Sequence, residues 1–172
     1  VLEAFASLIE GRKESADKLE FHWIVFSPDE EAKVKQMIEH SWFAHRSDLV
    51  VKLIAERESL ERFLGGCEAA VALQSLSYSS FGLRAFVLMG FKSSLPIILS
   101  DCGPAEDLPS SVALKIPLGV GESAMIASVL DRVISDVAFS SAVRASLAQY
   151  VEDVLSPAAV VADFEATFLK HR

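Results

Sequence analysis

Five short apolar runs, each set off from the next by a stretch of different character, constrain this chain more than any other feature. They are "FHWIVFS" (Phe21–Ser27), "DLVVKLI" (Asp48–Ile54), "EAAVALQ" (Glu68–Gln74), "LPIILSD" (Leu95–Asp101) and "SVALKIP" (Ser111–Pro117). Runs of this length, rich in strand-forming residues and bounded by turn formers, are strand signals. The intervening stretches read as helices. "VLEAFASLIEGR" places Leu2, Phe5, Leu8 and Ile9 at helical spacing, and "PDEEAKVKQMIEH" opens on proline and acids with Val34, Met37 and Ile38 on one face. "ERESLERFLGG" closes on a glycine pair, and "FGLRAFVLMGF" has few positions suited to water. Three helices end the chain: "ESAMIASVLDRVIS", "VAFSSAVRASLAQYVEDV", and "PAAVVADFEATFLKH" with Ser156 as its N-cap. The βαβα order predicts an α/β fold: one Rossmann-like domain over residues 1–172, with a parallel sheet buried between helices on both faces.

Composition enters where it excludes. At 172 residues and 51% apolar, the chain can build one full core and is too short for two domains of ordinary size. A net charge of −8 argues against non-specific binding to nucleic acid or to an anionic membrane surface. No apolar run approaches the length of a transmembrane segment. Cys67 and Cys102 are too few for a disulfide framework and sit in or beside apolar runs, so the protein reads as cytoplasmic with reduced thiols. The opening on an amphipathic helix, with neither an initiator Met nor a lead-in strand, reads as a piece of a longer protein.

In open parallel sheets, ligands bind beyond the carboxyl ends of the strands. Three loops belong to that edge: Ile54–Glu56, Ser75–Ser80 and Asp101–Asp107. The second is rich in hydroxyls and runs into Phe81-Gly82-Leu83, and the third is "DCGPAED". A glycine just before a helix lets backbone N–H groups approach a phosphate, and the helix end adds partial positive charge.

The stretch "SSFGLRAFVLMGFKSSLPIILSDCGPAEDL" resembles the carboxyl-terminal, nucleotide-sugar-binding half of the group 1, or family 4, GT-B glycosyltransferases. Phe81, Gly82, Leu83, Gly90, Pro96, Ser100, Asp101, Gly103 and Glu106 carry the resemblance, and the closing "LSPAAVVADFEATFL" looks like the family's tail. The resemblance implies one half of a GT-B fold that binds a nucleotide-diphosphate sugar. It implies transfer of a hexosyl group to an acceptor only with a missing N-terminal half, and no cofactor besides the donor substrate. The residues it assigns to the donor are Ser79, Ser80, Phe81, Gly82, Leu83, Gly103 and Glu106; it assigns no catalytic residue and no metal. The chain departs from the family at two acids. The family's first Glu falls on Ser79, and its second, which takes the ribose hydroxyls, falls on Val87. No Asp or Glu lies between Glu68 and Asp101, so a change of register restores neither. The family's Arg/Lys pair would precede the first helix. The departures point to an alternative: an inactive glycosyltransferase-like module that binds a partner protein or stabilises another subunit.

Each of these residues also has a plainer reading. Phe81 and Gly82 suit a hydrophobic helix start after a tight turn. Ser77, Ser79 and Ser80 suit capping, and Tyr78 an ordinary loop aromatic. Gly103 suits a turn and Glu106 the cap of a short helix. His22, beside Trp23 in a strand, reads as a satisfied core histidine. His40 and His45 lack partners at metal-binding spacing, and Cys67 and Cys102 read as core. A flavodoxin-like binding domain would need an anion-binding loop after the first strand, where "SPDEEAK" is acidic.

Overall fold

The sequence pattern is followed closely in the computed structural model, which describes residues 1–12, 19–44, 46, 49–54, 56–73, 87 and 89–169. In chain order the elements are α1 (Leu2–Gly11), β1 (Phe21–Val25), α2 (Pro28–Glu39), β2 (Leu49–Leu53), α3 (Arg57–Leu64) and β3 (Ala70–Ala72). The helical residues 87 and 89–92 form α4. Then follow β4 (Ile97–Ser100), a 3-10 turn (Gly103–Ala105), β5 (Leu114–Ile116), α5 (Glu122–Ser135), α6 (Val137–Tyr150), a π-helical turn (Val151–Leu155) and α7 (Pro157–Leu169). The five strands among the described residues lie inside the runs expected for them. All are paired in parallel, in two small sheets ordered β1–β2 and β3–β4–β5 and flanked by helices. The fold class is therefore α/β and Rossmann-like. Two compact units are present: Val1–Phe63 with Gly119–Asp131, and Leu64–Leu118 with Arg132–Arg172.

In the first unit, α2 starts where the sequence places it. The Glu30 N–H donates to Ser27 Oγ (3.2 Å), the Glu30 carboxylate accepts from the Phe26 N–H (2.9 Å), and Pro28 fills a position that needs no donor. Ile9, Phe43 and Leu49 form a buried cluster, against which Phe5, Phe21, Trp23 and Ile38 pack. The Phe5 and Phe21 rings stack at 4.2 Å. Arg12 pairs with Asp131, and Ser123 Oγ donates to Glu3 at 3.3 Å. Phe21–Ser27 reads from sequence as a buried strand, yet only Val25 of β1 is buried and Phe26 is half exposed. The difference has a simple origin: β1 has β2 as its one described neighbour, whereas β4 is covered on both edges.

The second unit is built around a strand buried along its whole length. Successive strand residues point to opposite faces, so burial of all four β4 residues, Ile97 to Ser100, means that both faces of this strand are covered. Phe91, Leu95, Ile116, Val143 and Leu147 are buried in the same unit. Gly90 of α4 lies so close to Ile97 that an added Cβ would collide with the Ile97 Cδ1 methyl. Here the glycine provides room for a helix to approach a strand. The expected N-cap at Ser156 is present, its Oγ accepting the Ala159 N–H at 3.1 Å. Val160, Val161 and Phe164 of α7 are all more than half exposed.

Candidate functional site

Parallel pairing puts the carboxyl ends of β3, β4 and β5 at one edge, with Ala72 opposite Leu99 and Ser100 opposite Ile116. In sequence, β3 is followed by Ser79, Ser80, Phe81, Gly82 and Leu83. These residues lie outside the described part of the chain, as do Ser77 and Tyr78. The next described residue is Val87 of α4, which is helical and only 9% exposed. At this position, where the resembled family carries its ribose-binding Glu, the chain has a core side chain.

The loop leaving β4 is described throughout its backbone and is built from internal contacts. Asp101 prolongs the pairing, its N–H donating to the Ile116 carbonyl at 2.8 Å. Gly103 adopts φ 55°, a conformation that favours glycine, and the chain enters the 3-10 turn. The Gly103 N–H donates to Glu106 Oε1 at 3.0 Å. Gly103 and Glu106, both expected at a donor site, are thus brought together, and the contact between them is the capping bond of the plainer reading. Both are exposed.

Lys115, from the middle of β5, completes the loop. Its Nζ donates to the Glu106 main-chain carbonyl at 2.7 Å and stands 3.8 Å from Asp101 Oδ1. The Lys115 side chain is 16% exposed and that of Asp101 42%. The edge therefore combines one amine, which only donates hydrogen bonds, with carboxylates that only accept them. Chemically, such a set can donate to an anionic group and accept from hydroxyls. Sequence reasoning passed over Lys115, although a charged residue inside the apolar run "SVALKIP" was a usable signal.

The opposite edge is fastened differently. Arg144 of α6 donates from Nη2 to the Glu68 carbonyl (2.9 Å) and carboxylate (3.1 Å), and from Nη1 to the Ser94 carbonyl (3.4 Å). Glu68 precedes β3 and Ser94 precedes β4, so this guanidinium ties the amino ends of two neighbouring strands. It reads as a structural clip.

Of the remaining candidates, His22 and His40 belong to the first unit, while Cys67 precedes β3 and Cys102 lies in the loop leaving β4. His22 faces the Glu20 carboxylate through Nε2 (3.0 Å) and the Phe63 ring (5.0 Å), while its buried Nδ1 has no hydrogen-bond partner among the described residues. It is less fully satisfied than the sequence suggested. An ε-protonated ring suits these contacts, because it leaves Nδ1 as an acceptor and buries no unmatched donor. His40 Nδ1 sits 2.8 Å from the Gln36 carbonyl, and His45 lies outside the described residues. Cys102 is buried and Cys67 half-buried, and neither forms a disulfide. A cleft of about 700 Å³ in the first unit is lined by Leu2, Met37, Trp42 and Phe43, with Lys33 and His40 among its polar groups. Among the described residues no group of three or more His, Cys, Asp or Glu is placed to hold a metal ion. No described helix is long and apolar enough to cross a membrane. No protein-family model, curated protein or solved structure matches this chain.

Proposed function

We propose that the second unit is the donor-binding part of a GT-B-type glycosyltransferase, holding a nucleotide-diphosphate sugar at the carboxyl edge of β3–β4–β5. The supporting observation is the Asp101–Glu106 loop. It follows the central strand of a parallel sheet and turns at Gly103, and its Glu106 carbonyl accepts from Lys115 of β5; the carboxyl edge is where sheets of this class commonly take ligands. In this reading, hexosyl transfer to an acceptor requires an amino-terminal half that supplies the facing wall. The catalytic contribution of this half is positioning, plus stabilisation of the departing diphosphate. The 172 residues alone bind donor and do not turn it over.

One observation favours a second reading, an inactive module that engages a partner protein. Val87 is buried in α4 and can accept no hydrogen bond from a ribose. Titration of the purified chain with UDP, GDP, ADP and UDP-glucose, by calorimetry or ligand-observed NMR, separates the two. Saturable binding of one nucleotide, weakened by Gly82→Val, supports the donor reading. Absence of binding at millimolar ligand refutes it and leaves the interaction module. Robust hexosyl transfer by the isolated chain would refute the division of labour proposed here.

A further inference from the structure

We infer that Lys115 is a phosphate-binding cation of this edge, and that its ligand is recognised jointly by an amine on phosphate and carboxylates on hydroxyls. The inference rests on the donor-binding reading and goes beyond it, because Lys115 has no part in the sequence resemblance. Four positive side chains are described in the second unit. Lys92 precedes β4, Arg144 is committed to Glu68 and Ser94, and Arg132 faces Asp136 (3.9 Å) and the Phe139 ring (3.9 Å). Lys115 is the one that reaches the loop following β4.

Its present contacts leave it available. A main-chain carbonyl of the exposed residue Glu106 accepts its hydrogen bond, and water can take over that carbonyl at little cost when the amine moves. Asp101 lies at 3.8 Å, beyond hydrogen-bond distance, and its partial exposure weakens the attraction. A phosphate oxygen offers the amine a charge-assisted hydrogen bond, which is stronger than either. The flexible lysine stem lets the ammonium swing without displacing β5.

The acids around the amine set the ligand class. Asp101, Glu106 and Asp107 repel a bare anion, so inorganic pyrophosphate is a poor ligand. On a nucleotide sugar the same carboxylates accept hydroxyl hydrogens while Lys115 takes the diphosphate.

Calorimetric titrations of uridine, UMP, UDP, UDP-glucose and pyrophosphate provide the test, using the whole chain and its Lys115→Gln, Lys115→Arg and Lys92→Gln variants. Gln at 115 keeps a donor for the Glu106 carbonyl and removes the charge. The expected result is affinity that rises with each phosphate in the wild type, and falls about tenfold or more for UDP in Lys115→Gln. Uridine binding is unchanged, Arg at 115 restores most of the loss, and Lys92→Gln has no effect. Pyrophosphate binds more weakly than UDP-glucose throughout. In the wild-type chain, UDP shifts the Lys115 Cε methylene NMR signal and uridine does not, a readout that needs no variant to fold. Equal losses in Lys115→Gln and Lys92→Gln, or UDP binding indifferent to Lys115, overturn the inference and leave the donor reading standing. Wild-type protein that binds no nucleotide overturns both.

Discussion

Replacing Arg144 with Met should show that the second unit is fastened through main-chain carbonyls rather than through an ion pair. The guanidinium makes one short bond to the Glu68 carbonyl, one to the Glu68 carboxylate and a longer one to the Ser94 carbonyl. The carboxylate is 82% exposed, so its pairing contributes about 0–1 kcal/mol. A hydrogen bond from a charged donor contributes about 1.5–3 kcal/mol. Arg144→Met keeps the packing of the stem and loses all three bonds, for an expected loss of about 2–3 kcal/mol. Glu68→Ala removes the carboxylate and retains the carbonyl, for an expected loss below about 1 kcal/mol. In a chain of this length each kcal/mol lowers the midpoint of thermal unfolding by about 2–4 °C, so circular dichroism separates the variants. Amide exchange adds a local test: the Ala70 N–H, which donates to the Pro96 carbonyl beside the clip, should exchange faster in Arg144→Met. If Glu68→Ala costs as much as Arg144→Met, the ion pair is the working contact and the reasoning fails.

Two further stability predictions follow from single contacts. Ile97→Ala, at a fully buried position of β4, should cost about 3–5 kcal/mol by denaturant unfolding, and a cost below about 1 kcal/mol would mean that the core collapses around it. Asp136→Ala removes the acceptor for the Phe139 N–H (2.9 Å) at the start of α6 and should cost about 1 kcal/mol; Asp136→Asn, which retains an acceptor, should cost little.

The strands are legible because each is a brief apolar run between turn formers, and a parallel strand buried on both faces needs no alternation to be recognised. Their lengths are less so. Among the described residues of "EAAVALQ", Ala70–Ala72 form the strand, since ladder ends are set by the register of the partner strand. The stretch "VAFSSAVRASLAQYVEDV" reads as one helix, yet the backbone widens into a π turn at Val151–Leu155 without a break in side-chain character. The pattern of α2 identifies a face containing Met37 and cannot say what covers it; Met37 is 44% exposed and lines the cleft of the first unit. At the candidate site, local sequence correctly suggested that Gly103 and Glu106 share a turn. Lys115 escaped because its contacts join β5 to a loop nine residues earlier in the chain, at Glu106, and the pairing arises only once the strands align. The hydroxyl-rich segment Ser79–Leu83 lies outside the described residues, so its part in the site rests on the titrations proposed above.

The composition of the two compact units bears on the order in which a nascent chain can finish them. The first unit begins at Val1 yet includes Gly119–Asp131, and Arg12 finds its partner Asp131 across 119 positions of sequence. The second begins at Leu64 and includes Arg132–Arg172, and the Arg144 clip reaches back 76 positions to Glu68. A ribosome therefore delivers most of the second unit before the piece that completes the first, and the α6 clip only after that. Each unit receives its last segment only after much of the other has been made, and no single cut releases one of them whole. Truncation series, split reporters and proteolytic dissection should meet incomplete cores wherever the chain is divided between Leu64 and Asp131.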